Sequence, residues 1–244
     1  MNDTHPRRRC DARQNRLLGA LPYDEWMRWQ PHLEPIDLVP GQVLCEAESA
    51  PMYAHFPTSA VASLVNLSQE GGSTEIAVVG NEGMVGISIF MGGNAMNSRA
   101  VVQSAGEGYR VRAQSMKNEL SRAGTALATL LRYTLEMIGQ VAQSAVCNRY
   151  HSVEQQLCRR LLVGLDRGSG DELELTHDQA ADLLGVRRET ITSAAGKLQR
   201  AGLIQYARGH IRVLNRRGLE ARTCDCYSAP NAKRQPLFSK LAAA

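Results

Sequence analysis

The segment 175–202 constrains this 244-residue chain more tightly than any other part of it. Thr176-His-Asp-Gln179 has the pattern of a capping box: the Thr hydroxyl accepts the N3 amide of a helix while the Gln side chain reaches back. Ala180, Ala181, Leu183 and Leu184 follow at helical spacing, and Gly185 supplies the left-handed residue that ends such a helix. A second helix is predicted over 188–201, stopped by Gly202. Two short helices joined by so tight a turn must cross closely. The small Ala181 at the crossing, Gly185 in the turn and the β-branched Ile191 on the inner face meet that demand, at the intervals of a helix-turn-helix. Residues 203–206 and 211–214 then read as strands around a turn at Arg208-Gly209, which makes a wing.

Charge in the same region points to a partner. Net charge is only +4, but 186–222 holds nine Arg or Lys (Arg187, Arg188, Lys197, Arg200, Arg208, Arg212, Arg216, Arg217, Arg222) against Glu189 and Glu220. A local excess of that size is the footprint of a phosphate-binding surface. In a helix-turn-helix the second helix enters the major groove of double-stranded DNA, so its outward residues are Arg187, Arg188, Glu189, Thr192, Ser193 and Lys197. Glu189 is the informative one, because phosphate binding alone would exclude a carboxylate, whereas cytosine N4 can donate to it. Arg187 or Arg188 can donate to guanine or phosphate; Lys197, Arg208 and His210 are expected on the backbone, and Thr176 completes the predicted contact set. The alternative is a winged-helix module that binds protein and reads no DNA sequence.

Upstream, the pattern changes twice. Residues 12–33 hold a short amphipathic helical pattern (Leu17, Leu18, Leu21, Trp26, Trp29). From there to about residue 111, short β-rich runs (36–39, 52–56, 61–67, 76–79, 100–103, 109–112) alternate with glycine turns, the signature of an antiparallel sandwich, roll or barrel. A proline-free helical stretch follows over 124–166. Leu127, Leu131, Thr134, Ile138, Val141 and Ala145 recur along it in steps of four and three, continuing to Asn148, which predicts a coiled-coil-like dimer seam. The other reading is a stripe packed on its own β domain. The expected organisation is α+β: a β-rich domain over 12–123, a long helix and linker over 124–166, a winged helix-turn-helix over 167–224 and a tail over 225–244, whose last residues (240–244) resemble a vector-derived end.

The order of β-rich domain, long helix, then L-T-x-D-Q-A-A-D-L-L-G-V-R-R-E-T-I-T-S and a wing resembles the Crp/Fnr family of bacterial transcription regulators over residues 15–222. Pro40-Gly41 and Asn81-Glu-Gly-Met-Val-Gly86 fall at family-like places. The resemblance implies an N-terminal antiparallel β-roll like that of cyclic-nucleotide-binding domains, and a homodimer formed through the long helix. It also implies a pseudo-palindromic DNA site, with RNA polymerase as a further candidate partner. The chain departs from the family at two places. Many members carry Arg four residues after the recognition-helix Glu, where this chain has Ser193; and Arg187 stands where a Ser or Thr usually caps the helix, at a cost of about 1 kcal/mol.

The effector pocket departs further. Cyclic-nucleotide binders of the family have Gly-Glu to hold the ribose and Arg-Ser/Thr-Ala to neutralise the phosphate. Here the matching stretches are Gly86-Ile87 and Asn97-Ser98-Arg99-Ala100. The Ile87 side chain cannot accept a ribose hydroxyl's hydrogen bond, and Arg99, one position late, would point to the other face of a strand. Cyclic AMP is therefore not expected, the effector is unknown, and no cofactor is assigned. Iron–sulfur sensing is not expected either, for want of an N-terminal cysteine cluster; haem has only the weak candidate His55 or a cysteine.

The six cysteines are spread out, and Cys224-x-Cys226 lacks a second pair at zinc-site spacing, so no metal is expected from sequence. No G-x-S-x-G, G-x-G-x-x-G, P-loop or H-E-x-x-H motif is present, so an enzyme is not expected. A chain 43% hydrophobic and 21% charged, without a run of roughly 20 apolar residues or a secretory signal, reads as globular, outside the membrane and cytoplasmic.

Overall fold

The computed structural model describes residues 10–227, apart from 70, 94 and 169. Two short helices open it, α1 (Arg16–Gly19) and α2 (Tyr23–Trp29). Asn15, fully buried, holds them in place: its Oδ1 accepts from the amides of Leu17 and Leu18, and its Nδ2 donates to the carbonyls of Pro57 and Gly83. Leu17, Leu18, Leu21, Trp26 and Trp29 are all buried, as the amphipathic pattern predicts.

Seven strands follow: β1 (Glu34–Leu38), β2 (Val43–Cys45), β3 (Tyr53–Pro57), β4 (Val61–Leu67), β5 (Ser73–Val79), β6 (Ser98–Ser104) and β7 (Gly106–Arg112). They form two antiparallel sheets, ordered β1-β7-β3 and β2-β6-β4-β5. Six correspond to the predicted β-rich runs; β2 was not predicted, being three residues of half-buried pattern with no alternation to read. The core between the sheets gathers Phe56, Leu64, Val79, Met84 and Val111, with Trp29 edge-on to Phe56 at 6.3 Å.

His55 of β3 sits inside this core. Its backbone pairs with Val85, but its Nδ1 has no partner among the described residues, and burial, aided by Arg110, lowers its pKa to about 4. Since the folded pKa lies below the unfolded value of 6.5, the unfolded chain takes up the proton first. The His55 contribution is thus complete above about pH 6.5, is lost as pH falls, and levels off near pH 4. Urea titrations of His55→Gln are expected to show a shallower loss of stability across that window, by up to about 1.4 kcal/mol per pH unit. An unchanged slope would refute the assignment.

After α3 (Ala113–Leu120), α4 (Thr125–Tyr150) lies along the β domain. Gly124 gives α4 no side-chain cap; instead the carboxylate of Glu25, a hundred residues away, accepts the amides of Thr125 and Ala126 at 2.7 Å each. Tyr133 donates to the Met84 carbonyl at 2.9 Å, and a Cβ at Gly83 would meet that phenol oxygen at 2.5 Å, so the 81–86 turn needs its glycine there.

The helical stretch read over 124–166 is two helices. His151 is extended (φ −107°, ψ 151°), and α5 (Val153–Arg167) starts anew from a Ser152/Gln155 capping box. The apolar side of α5 (Leu157, Leu161, Leu162) belongs to a second core, with α6 (His177–Leu184), α7 (Arg188–Arg200), α8 (Arg216–Arg222) and the antiparallel sheet of β8 (Glu172–Glu174), β10 (His210–Val213) and β9 (Ile204–Ala207). Two buried ion pairs tie α5 to the β domain: Arg160 to Glu75 of β5 at 2.8 Å, and Arg167 to Glu82 at 2.6 Å. No described helix is long and apolar enough to cross a membrane.

Candidate nucleic-acid interface

Each local expectation for 175–214 has a structural counterpart. Thr176 caps α6, accepting the Gln179 amide at 3.1 Å while Gln179 accepts the Thr176 amide at 2.8 Å. Gly185 adopts φ +64°, ψ +37°, a conformation that lets the chain turn from α6 into α7 within three residues. Ala181 and Ile191 are buried where the two helices meet. Arg187 stands at the N-cap of α7 without a side-chain cap bond, as expected of that residue. The wing turns through Arg208 (φ +49°) and Gly209 (φ +85°), the pair of positive φ values that a two-residue hairpin needs.

Arg187, Arg188, Glu189, Thr192, Ser193 and Lys197 are all exposed on one side of α7, and Arg208 and His210 are exposed on the wing. Thr176 is half-buried, with its hydroxyl spent on the cap. The uncapped N-terminus of α7, with its free amides and two arginines, favours an anion such as a phosphate.

The charge count changes once the fold is known. Carboxylates from outside 186–222 reach several of the cations: Asp178 lies 3.3 Å from Arg188, Glu154 touches both Lys197 (3.9 Å) and Arg222 (3.1 Å), and Asp171 and Glu172 flank Arg212. Glu172 also sits 3.0 Å from His210. Among the described residues, Arg187, Arg200, Arg208 and Arg217 have no such carboxylate within 4 Å. These pairs are largely exposed and therefore individually weak.

His177 is a residue that sequence reasoning missed. Its ring stacks on Tyr206 of the wing at 4.1 Å, and its Nδ1 lies 3.0 Å from the Thr192 hydroxyl, which also donates to the Arg188 carbonyl. Burial, then Arg188, holds its pKa below the ordinary value. One imidazole thereby fixes α6, α7 and the wing relative to one another. The signal was its place at N1 of the capping box, legible only with the wing strand in position.

In the β domain, Gly86 (φ +102°) precedes a single 3-10 turn in which Ile87 packs against the core. Along β6, Ser98 and Ala100 are buried while Arg99 faces the other way, its Nε 3.1 Å from Glu46; Asn97 is exposed. On α4, the predicted seam divides. Leu131, Ile138, Val141 and Ala145 are exposed, but Leu127 packs against the β-domain core and Thr134 is only 5% exposed, its hydroxyl bonded to the Leu130 carbonyl. Thr134 is therefore corrected out of the seam: the β domain takes that face of the helix. The exposed stripe instead runs Leu131, Leu135, Ile138, Ala142, Ala145, a heptad spacing in which Leu135 is 69% and Ile138 59% exposed.

Residues 155–222 match the family model described as the Crp-like helix-turn-helix domain. A search of curated proteins by sequence found no match. Among solved structures, the chain is similar to a protein of Eubacterium rectale assigned to the crp/fnr family (TM-score 0.69, 18% identity, covering 84% of this chain and 96% of that one). It is also similar to FixK2 of Bradyrhizobium japonicum (0.65, 14%, 79% and 98%) and to a Crp/Fnr-family transcriptional regulator of Thermus thermophilus (0.62, 19%, 78% and 97%). The fold is thus that of Crp/Fnr-family structures, and residues 155–222 within it form a Crp-like helix-turn-helix domain.

Proposed function

We propose that this protein is a homodimeric, sequence-specific DNA-binding transcription regulator of the Crp/Fnr type, acting in the cytoplasm. The observation that carries the reading is the exposed face of α7, where Glu189 and Ser193 stand among arginines on a helix braced by α6 and the wing. Phosphates meet Arg187, Arg208 and the α7 N-terminus, with Lys197 and His210 joining as their carboxylate partners let go; bases meet Glu189 and, through guanine, Arg188. The exposed α4 stripe supports pairing of two copies, which would set two α7 helices on a pseudo-palindrome. Contact with RNA polymerase belongs to the same reading.

The β domain responds to no cyclic AMP in this proposal. The Ile87 side chain offers no acceptor for a ribose hydroxyl, and the Arg99 guanidinium already has Glu46.

The test selects duplexes from a random pool and compares the wild type with Glu189→Ala across a range of salt. The wild type is expected to enrich one palindromic site, with log affinity falling linearly in log salt. Glu189→Ala is expected to lose about 1–3 kcal/mol of discrimination at one base pair per half-site while non-specific affinity holds. Equal losses on every sequence would refute base reading by Glu189, and a salt slope near zero would favour a protein partner.

A further inference from the structure

Four side chains converge where α4 ends and the chain returns after α8. Cys147 and His151 occupy the last turn of α4 and its cap, and Cys224 and Cys226 follow α8. Their ligand atoms (three Sγ and one imidazole nitrogen) all lie within 4.8 Å of one another. Cys147 Sγ is 3.6 Å from Cys224 Sγ, and Cys226 Sγ is 3.4 Å from His151 Nδ1. The three cysteines are buried together and His151 is half-buried.

We propose that Cys147, His151, Cys224 and Cys226 bind one zinc(II) ion in a closed Cys3His site that clamps the end of α4 to the C-terminal domain.

The geometry favours a single ion. With metal–sulfur bonds of about 2.3 Å, a tetrahedron has sulfur–sulfur edges of about 3.8 Å and slightly shorter sulfur–nitrogen edges, close to the Cys147–Cys224 and Cys226–His151 separations of 3.6 and 3.4 Å, with every other pair inside 4.8 Å. An iron–sulfur cluster would hold its thiolates further apart, around a core of bridging sulfides. Soft thiolates with one imidazole in four-coordinate geometry select zinc over calcium, magnesium or manganese.

The surroundings are those of a ligand set. His151 turns Nδ1 to the sulfurs, and its Nε2 lies 3.6 Å from the Asp225 carboxylate, the outer partner that orients a metal-bound imidazole. Gln143 donates to Cys226 Sγ at 2.9 Å, and Arg159 brings positive charge beside Cys147. With four protein ligands no position is left for substrate, so the role is structural or regulatory. The extended joint at His151 and Ser152 lies between the two halves of the ligand set, so the ion would span it and hold α7 at a defined angle to α4. Cys224-x-Cys226 finds in three dimensions the second pair that the sequence spacing lacked.

The full chain, purified under reducing conditions, is expected to carry about one zinc per chain by elemental mass spectrometry, and to take up cobalt(II) with the intense visible absorption of tetrahedral thiolate coordination. Cys226→Ser and His151→Ala are expected to drop metal content well below half, while Cys45→Ser keeps it. If a variant does not fold, the cobalt titration of the wild type against a competing chelator decides. Three results would overturn the site: no stoichiometric metal after anaerobic reconstitution, cobalt bound with octahedral spectra only, or a Cys147–Cys224 disulfide forming in the presence of excess zinc. None of these readouts uses DNA, so they stand apart from the proposed function.

Discussion

Ile138→Asp is expected to turn a dimer into monomers and to weaken specific DNA binding at least about 100-fold, while the fold of each chain survives. Ile138 lies at the middle of the exposed stripe, one turn from Leu135, and belongs to neither hydrophobic core among the described residues. Near a two-fold axis each copy would bury a carboxylate beside its mate's, and two unpaired like charges out of water cost several kcal/mol, of which about 3 kcal/mol already gives that factor. Light scattering reads the mass, and operator titration the affinity. Arg132→Asp, exposed but off the stripe, is the control and should leave the mass unchanged. Thr134→Asp should instead destabilise the chain itself, because Thr134 faces the β domain. An Ile138→Asp protein with the wild-type mass would remove α4 as the seam.

The second large effect is expected at Glu82. Arg167 and Glu82 have side chains only 4% and 8% exposed, and the Arg167 guanidinium also donates to Gln140 of α4. Glu82→Ala leaves a buried cation short of its counter-charge, which should cost about 3–5 kcal/mol. Replacing both partners, as in Glu82→Ala with Arg167→Met, should recover most of that loss, since the double change buries no charge. Urea unfolding near neutral pH measures both. If the single variant loses less than about 1 kcal/mol, water reaches the pair and the ion pair does not hold α5 to the β domain. Arg160 and Glu75 form the parallel tie on β5, where Glu75 also accepts from Ser63, so two buried ion pairs hold α5 to the β domain.

The helix-turn-helix was legible because everything that makes it is short-range: a capping box that closes between Thr176 and Gln179, one glycine with positive φ, and helical spacing of small and apolar residues. The same kind of signal, Ser152 with Gln155, marks the start of α5, yet the absence of proline and the continuing periodicity concealed it. The free face of α4 was legible only to within one helical position. Periodicity shows that α4 has apolar sides; it does not tell which side the β domain takes, and Thr134 and Leu135 exchange roles on that point alone.

The sequence by itself determined the local elements of this protein: the capped α6, the glycine turn, the basic α7 and the wing, with the antiparallel β-rich domain before them. Their hydrogen bonds and steric limits act within a few residues, so residue order suffices. Only the tertiary structure decided which α4 face stays free, which cations Asp178, Glu154 and Glu172 restrain, and that Cys147 and His151 meet Cys224 and Cys226 across more than seventy residues of chain. Those meetings are products of packing two cores about one joint, and no local spacing encodes them.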